Sequence, residues 1–144
     1  MASLLDALDG AVARVSGRVT KFGSYLDAVC DRVAEALVIL SVAVVTGYWV
    51  LSSAVLAGAF LVSYTKARAA MEVPIANLEW PDLMERAERG VVYIVGLGLK
   101  PLIPWRPFGR DLFWWTLVVL TVLVYATVLQ RVLRAKRLIQ TRGS

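Results

Sequence analysis

Two long stretches of this chain carry no charged residue, Ala36 to Thr65 and Leu112 to Gln130. A helix needs about 20 apolar residues to cross the hydrocarbon core of a membrane, so both stretches read as membrane helices. Gly47 and Tyr48 interrupt the first run and predict a tight turn. The run therefore divides into one helix from about Gly23 to Thr46 and another from about Leu51 to Ala70. Ala54 and Gly58 on the second form a small-xxx-small pair that permits close helix packing. The second run predicts a helix from about Asp111 to Leu133, followed by a basic tail, RAKRLIQTR. Between the runs, Pro74 and Pro81 mark a loop. Asp82 and Glu85 form a capping box for a helix from about Leu83 to Leu102, and PLIPWRPFGR makes the next connection. Residues 2–16, rich in alanine and leucine, predict one more helix. The period-2 alternation of a membrane barrel is absent. The pattern predicts an all-α fold: a polytopic transmembrane bundle of about five helices, forming a single domain over residues 1–144.

Composition strengthens this picture and removes several chemistries. Hydrophobic residues make up 58% of the chain, and the mean hydropathy is +0.65, above the norm for soluble proteins. There is no histidine, which excludes Ser-His and Cys-His nucleophiles and the common zinc sites. The single cysteine, Cys30, has no partner for an intramolecular disulfide and is expected to be a small packed side chain. The net charge of +5 is arranged for a membrane and not for nucleic acid. If residues 14–32 face the cytoplasm, then so do Lys66 to Arg89 and the tail. Thirteen of the 16 Lys and Arg residues then lie inside, and Lys100, Arg106 and Arg110 lie outside. Trp49, Trp105, Trp114 and Trp115 fall at the outer helix ends, where an aromatic belt places them. In this scheme Arg131 and Arg134 act chiefly as a stop-transfer signal, with a reach to the headgroup as the second reading.

The polar residues with the most regular placement lie in DALDGAVARVSGRVTKFGSYLDAVCD, from Asp6 to Asp31. Asp6 and Asp9 are three apart, and Asp27 and Asp31 four apart, so each pair shares a helix face. Two such faces turned toward each other would gather four carboxylates, which repel strongly in a low-dielectric site. Hard divalent cations such as Mg²⁺, held through oxygen, are the natural counter-charge. Gly10 and Gly23 leave room for a ligand to approach the backbone, and Arg14 offers a fixed fork for phosphate.

The stretch resembles the signature of the CDP-alcohol phosphotransferase family, D-x2-D-G-x2-A-R-x8-G-x3-D-x3-D, with every spacing kept. Eight specified positions match by chance on the order of once in a billion starts or fewer, so helix caps and solvated charges explain the constellation poorly. The resemblance implies transfer of a substituted phosphate from a CDP-linked lipid donor to an alcohol, with release of CMP. It implies that Asp6, Asp9, Asp27 and Asp31 hold Mg²⁺ or Mn²⁺, as two ions, and that Asp31 is the catalytic base. Asp6, Gly10, Ala13, Arg14, Gly23 and Asp27 would line the CDP moiety. A homodimer in the cell membrane, with its active site toward the cytoplasm, is also implied. Family members carry a further helix upstream of the motif, so the native start is expected to lie before Met1, or this form is N-terminally short.

The stretches SYTKARA and LMERAERG resemble the phosphatidylinositol-phosphate and archaetidylinositol-phosphate synthase branch. There, basic residues at such positions hold the phosphate of the acceptor, which points to inositol 1-phosphate and to Lys66, Arg68, Arg86 and Arg89. Arg86 and Arg89 share a helix face. They would also suit ion pairs with Glu85 and Glu88, or topology alone. Glycerol 3-phosphate is the alternative acceptor. An inactive, shortened membrane partner and a metal or solute transporter are the alternatives of another class.

Overall fold

The computed structural model describes residues 20–72, 86–104 and 106–142, with the side chains of Arg86 and Arg142 outside that description. The described residues are all-helical. Helix α1 spans Lys21–Thr46, α2 Trp49–Glu72, α3 Arg86–Leu99 and α4 Leu112–Arg142, with a 3₁₀ turn at Pro107–Gly109 before α4. The fifth helix expected from the sequence, at residues 2–16, lies outside the described residues. So do Asp82 and Glu85 of the capping box. The chain divides into two compact units, residues 1–37 and 38–144, with the boundary inside α1.

Helix boundaries differ from the sequence expectation for local reasons. Helix α1 starts at Lys21, not Gly23, because Thr20 caps it: the Gly23 N–H donates to Thr20 Oγ1 at 3.0 Å. A hydroxyl before the first turn satisfies one of the donors that a helix start leaves unpaired. Between α1 and α2, Gly47 adopts a φ of +75°, a left-handed turn conformation that favours glycine. Helix α3 ends at Leu99, short of Leu102, since Pro101 supplies no N–H to continue it. Helix α4 does not stop near Leu133. It runs on to Arg142, because LRAKRLIQTR contains no glycine or proline and is rich in good helix formers.

The longer unit is organised by a seam between α2 and α4. On α4, Phe113, Leu117, Leu120, Val124, Thr127 and Arg131 are all buried. Their spacing alternates four and three, which keeps one stripe turned inward. On α2, Ser52, Val55, Ala59, Val62 and Ala69 are buried in the same register. Gly58 leaves room for Val124 of α4: a Cβ added there would lie 2.5 Å from Val124 Cγ1. Helix α3 approaches α4 similarly at Gly96, where an added Cβ would lie 2.5 Å from Thr116 Cγ2. Tyr93 of α3 meets Phe113 edge to face, with centroids 5.4 Å apart.

Two helices, α2 and α4, are long and apolar enough to cross a membrane. Helix α1 has 26 residues, but Asp27, Asp31, Arg32 and Glu35 fall within its first 15 residues. The apolar remainder, Ala36 to Thr46, is about 16 Å long at 1.5 Å per residue, roughly half the hydrocarbon core. Helix α3, with 14 described residues, is about 21 Å long. Cys30 is exposed, which corrects the expectation of a packed side chain.

Candidate functional site

The motif residues Gly23, Asp27 and Asp31 occupy the first three turns of α1. Their four-residue spacing stacks them on one helix face, so a residue without a side chain is followed, turn by turn, by two carboxylates. Asp27 is exposed and Asp31 half-buried. Arg32 and Glu35 pair at 2.7 Å one turn on. The other motif residues, Asp6, Asp9, Gly10, Ala13 and Arg14, lie outside the described residues. No group of three or more metal-ligating side chains therefore occurs among the described residues. The donor set that is described fits a hard divalent cation. Two carboxylates one turn apart on one face supply oxygen ligands, and the chain has no histidine to compete with them.

The basic residues assigned to the acceptor phosphate fall at the ends of two helices. Lys66 and Arg68 lie in the last turns of α2. Arg68 pairs with Glu72 one turn on, at 2.6 Å, and both side chains are about half-exposed. Arg86 and Arg89 occupy the first turn of α3. Arg89 is buried, at 4% exposure, whereas an arginine serving topology alone would keep its head in water. Arginine at a helix start also opposes the helix dipole.

One buried cation of this end is not legible as such in the sequence, which assigns Arg131 to a stop-transfer signal. Arg131 is instead 6% exposed, and its Nη1 donates to the Val62 carbonyl of α2. The available signal was its place in the seam: Arg131 continues the Phe113–Leu117–Leu120–Val124–Thr127 stripe by one more step of four. Arg89 and Arg131 are the buried charged side chains among the described residues, and no carboxylate there is buried to the same degree.

The opposite end of the same unit carries a polar cluster of another kind. Asp111, just before α4, accepts from the Trp114 N–H at 2.9 Å and from the Tyr48 hydroxyl at 2.8 Å. Lys100 Nζ lies 3.2 Å from the same carboxylate and 5.5 Å from the centre of the Tyr48 ring. Burial pushes the Asp111 carboxyl up, but the Trp114, Tyr48 and Lys100 donors outweigh it and hold the group below the ordinary aspartate range. The Tyr48 hydroxyl is pushed above its ordinary value by burial and by Asp111, so it remains a donor. Arg110 lies over the Trp114 ring at 5.5 Å, a cation–π distance.

Comparison with known proteins places these features in a family. The chain is 31% identical over 122 residues to an archaetidylinositol phosphate synthase of Pyrococcus horikoshii, a match covering 77% of this chain and 63% of that protein. A crystal structure of the Mycobacterium tuberculosis phosphatidylinositol phosphate synthase with CDP-DAG bound matches with a TM-score of 0.76 and 30% identity. That match covers 92% of this chain and 68% of the other. The same synthase in complex with manganese and citrate matches with a TM-score of 0.77 and 29% identity, over 92% of this chain and 65% of that one. The chain thus spans about half to two thirds of the length of the curated relatives it matches. The family model described as CDP-alcohol phosphatidyltransferase matches residues 1–123, and the chain belongs to that family.

Proposed function

We propose that this protein transfers a phosphatidyl- or archaetidyl-type group from a CDP-activated lipid to the hydroxyl of inositol 1-phosphate, releasing CMP. The observation that carries the reading is the intact eight-position motif, whose Gly23, Asp27 and Asp31 share one face of α1. The M. tuberculosis neighbour crystallised with CDP-DAG supports a CDP-lipid donor. Its complex with manganese supports divalent-metal use.

Asp6, Asp9, Asp27 and Asp31 would hold the ions, which when bound supply Lewis-acid neutralisation of the pyrophosphate. Gly10, Ala13, Arg14 and Gly23, with Asp6 and Asp27, line the CDP moiety. Asp31 accepts the proton of the attacking acceptor hydroxyl as its oxygen bonds to the lipid-bearing phosphorus and the bond to CMP breaks. Lys66, Arg68, Arg86 and Arg89 bind the acceptor's phosphate, and buried Arg131 adds positive charge at the same end of the longer unit. A phosphomonoester carries about −1.5 to −2 charge at neutral pH, and arginine forks suit it geometrically. Arg68 must exchange Glu72 for the phosphate, whereas Arg89 is already held in a buried position. The site opens to the cytoplasmic face of a multi-pass membrane homodimer.

The test is a membrane assay of CMP release with CDP-diacylglycerol or CDP-archaeol as donor and inositol 1-phosphate, glycerol 3-phosphate or free inositol as acceptor. Inositol 1-phosphate should support turnover and free inositol should not. Preference for glycerol 3-phosphate would reassign the acceptor. In the same assay Asp31→Asn should lower the rate by about 10²- to 10⁴-fold, the usual worth of a positioned acid or base, with helix content unchanged by circular dichroism. Near-normal turnover would remove Asp31 from the role of base.

A further inference from the structure

Two small residues, one on each helix, line a space between the last turns of α2 and α4. Ala69 is buried in α2, and Ala135 faces the same space from α4. Neither fills it, and an open groove of about 330 Å³ remains between the last turns of the two helices. Its walls are apolar, with Tyr64 on one side and Val132 and Ile139 on the other. Its rim is charged. Glu72 on the α2 side is paired with Arg68, so that side is close to neutral. Lys136 on the α4 side is exposed and shares its stretch of helix with Arg134 and Arg137. The groove therefore presents an apolar floor under a net positive edge.

Its depth is set by the helices. The uncharged part of α4, Leu112 to Gln130, is about 28 Å long, close to the roughly 30 Å of hydrocarbon in a bilayer. The α4 lining begins two residues later, at Val132. The α2 lining begins at Tyr64, just before the first charge of that helix, Lys66. Both walls start where hydrocarbon ends and extend about 11 Å further, through the headgroup layer. An object at that level meets methylene groups below and phosphates above.

We propose that this groove holds one anionic phospholipid, with its phosphate at Lys136 and its first methylenes on Val132, Ala135 and Ile139. Charge selects the headgroup. A cationic edge attracts an anionic lipid near the membrane surface, whereas a zwitterionic headgroup gains little. The apolar floor selects a lipid over a free phosphate, which has nothing to bury there. The proposal rests on the membrane reading of α2 and α4. It does not rest on catalysis, although Arg68, which the proposed function gives to the acceptor phosphate, also lines the groove.

Native mass spectrometry of the purified full chain tests it, with phosphatidylglycerol and phosphatidylcholine of matched chains supplied at equal concentration. The wild type should retain one phosphatidylglycerol at least tenfold in preference to phosphatidylcholine. Lys136→Gln should reduce that preference several-fold, and Ala135→Trp, which fills the groove, should abolish the tight adduct. Lys136 is exposed, so its variant folds even if the tryptophan variant does not. Equal retention of both lipids by the wild type, or an unchanged phosphatidylglycerol adduct in Lys136→Gln, would overturn the proposal. Displacement of the lipid by millimolar inorganic phosphate would also overturn it, in favour of a soluble anion. Loss of a dimer mass in Ala135→Trp with lipid retention unchanged would assign the groove to a second copy of the chain. A chain inactive in transfer but selective for phosphatidylglycerol would leave this proposal standing and remove the enzymatic one.

Discussion

The two ends of the α2–α3–α4 unit handle charge in opposite ways. At the Asp111 end, one carboxylate gathers a lysine, a tyrosine hydroxyl and a backbone N–H within 3.2 Å, and Arg110 rests on Trp114. The charges there are satisfied locally, by groups that also join the α1–α2 turn, the end of α3 and the start of α4. At the other end, Lys66, Arg68, Arg89, Arg131, Arg134, Lys136 and Arg137 outnumber Glu72 and Glu88, the carboxylates among the described residues of those helix ends. Two of those cations are buried, Arg131 with the Val62 carbonyl as an acceptor. A one-sided excess of positive charge attracts anions, so this is the end suited to receive them. A closed cluster holds helices together, whereas a cationic surplus is suited to phosphates, from substrate or from lipid.

The strongest break of this comparison is topological, because its outcome is all or none. Reporter fusions after Arg137 should report the cytoplasm, and fusions between Pro104 and Arg110 the opposite side. A tail reporting outside would leave the basic end without access to cytoplasmic nucleotide-activated lipid. Arg89→Ala comes next. Loss of a charge-assisted contact costs about 1.5–3 kcal/mol, so the KM for the phosphorylated acceptor should rise roughly tenfold to a hundredfold while that for the CDP donor stays put. Equal shifts in both would reduce Arg89 to packing.

Smaller effects sharpen what ties the two ends together. Gly58→Ala places a methyl group 2.5 Å from Val124 Cγ1. Overpacking of this kind costs about 1–3 kcal/mol and should lower the thermal midpoint in detergent. An unchanged midpoint would mean that the seam separates freely there. Asp111→Asn keeps the shape of the cluster and removes its charge, at a cost below about 1 kcal/mol for a partly exposed pair. The pH dependence tells more. Asp111 is held below its unfolded value, so its contribution is present above the unfolded pKa near 3.9. That contribution is lost as pH falls through the lower folded value. Unfolding midpoints recorded on both sides of that window should converge for wild type and variant on the acid side. A constant gap at all pH values would deny the carboxylate its role.

The motif was legible because its chemistry is written at fixed helical intervals. Gly23, Asp27 and Asp31 lie on one face of any helix that contains them, whatever packs around it. The Gly47 turn and the close approach at Gly58 were legible for a similar reason, since each depends on a missing side chain. The extension of α4 to Arg142 was obscured by its charge, although those residues are good helix formers. The burial of Cys30 was misjudged because its neighbours in sequence do not say which face of α1 is covered.

The sequence by itself determined the helical class, the face that carries Asp27 and Asp31, and the excess of cations near the ends of α2 and α4. These follow from local periodicity and composition, which need no partner. Only the tertiary structure decided that Arg131 is buried against Val62, that Asp111 gathers Tyr48 and Lys100, and that Ala69 and Ala135 leave a groove. In helices that are apolar on every face, periodicity does not say which stripe turns inward. That choice is made by small residues meeting across a seam, where the dispersion attraction between closely approaching helices decides the register.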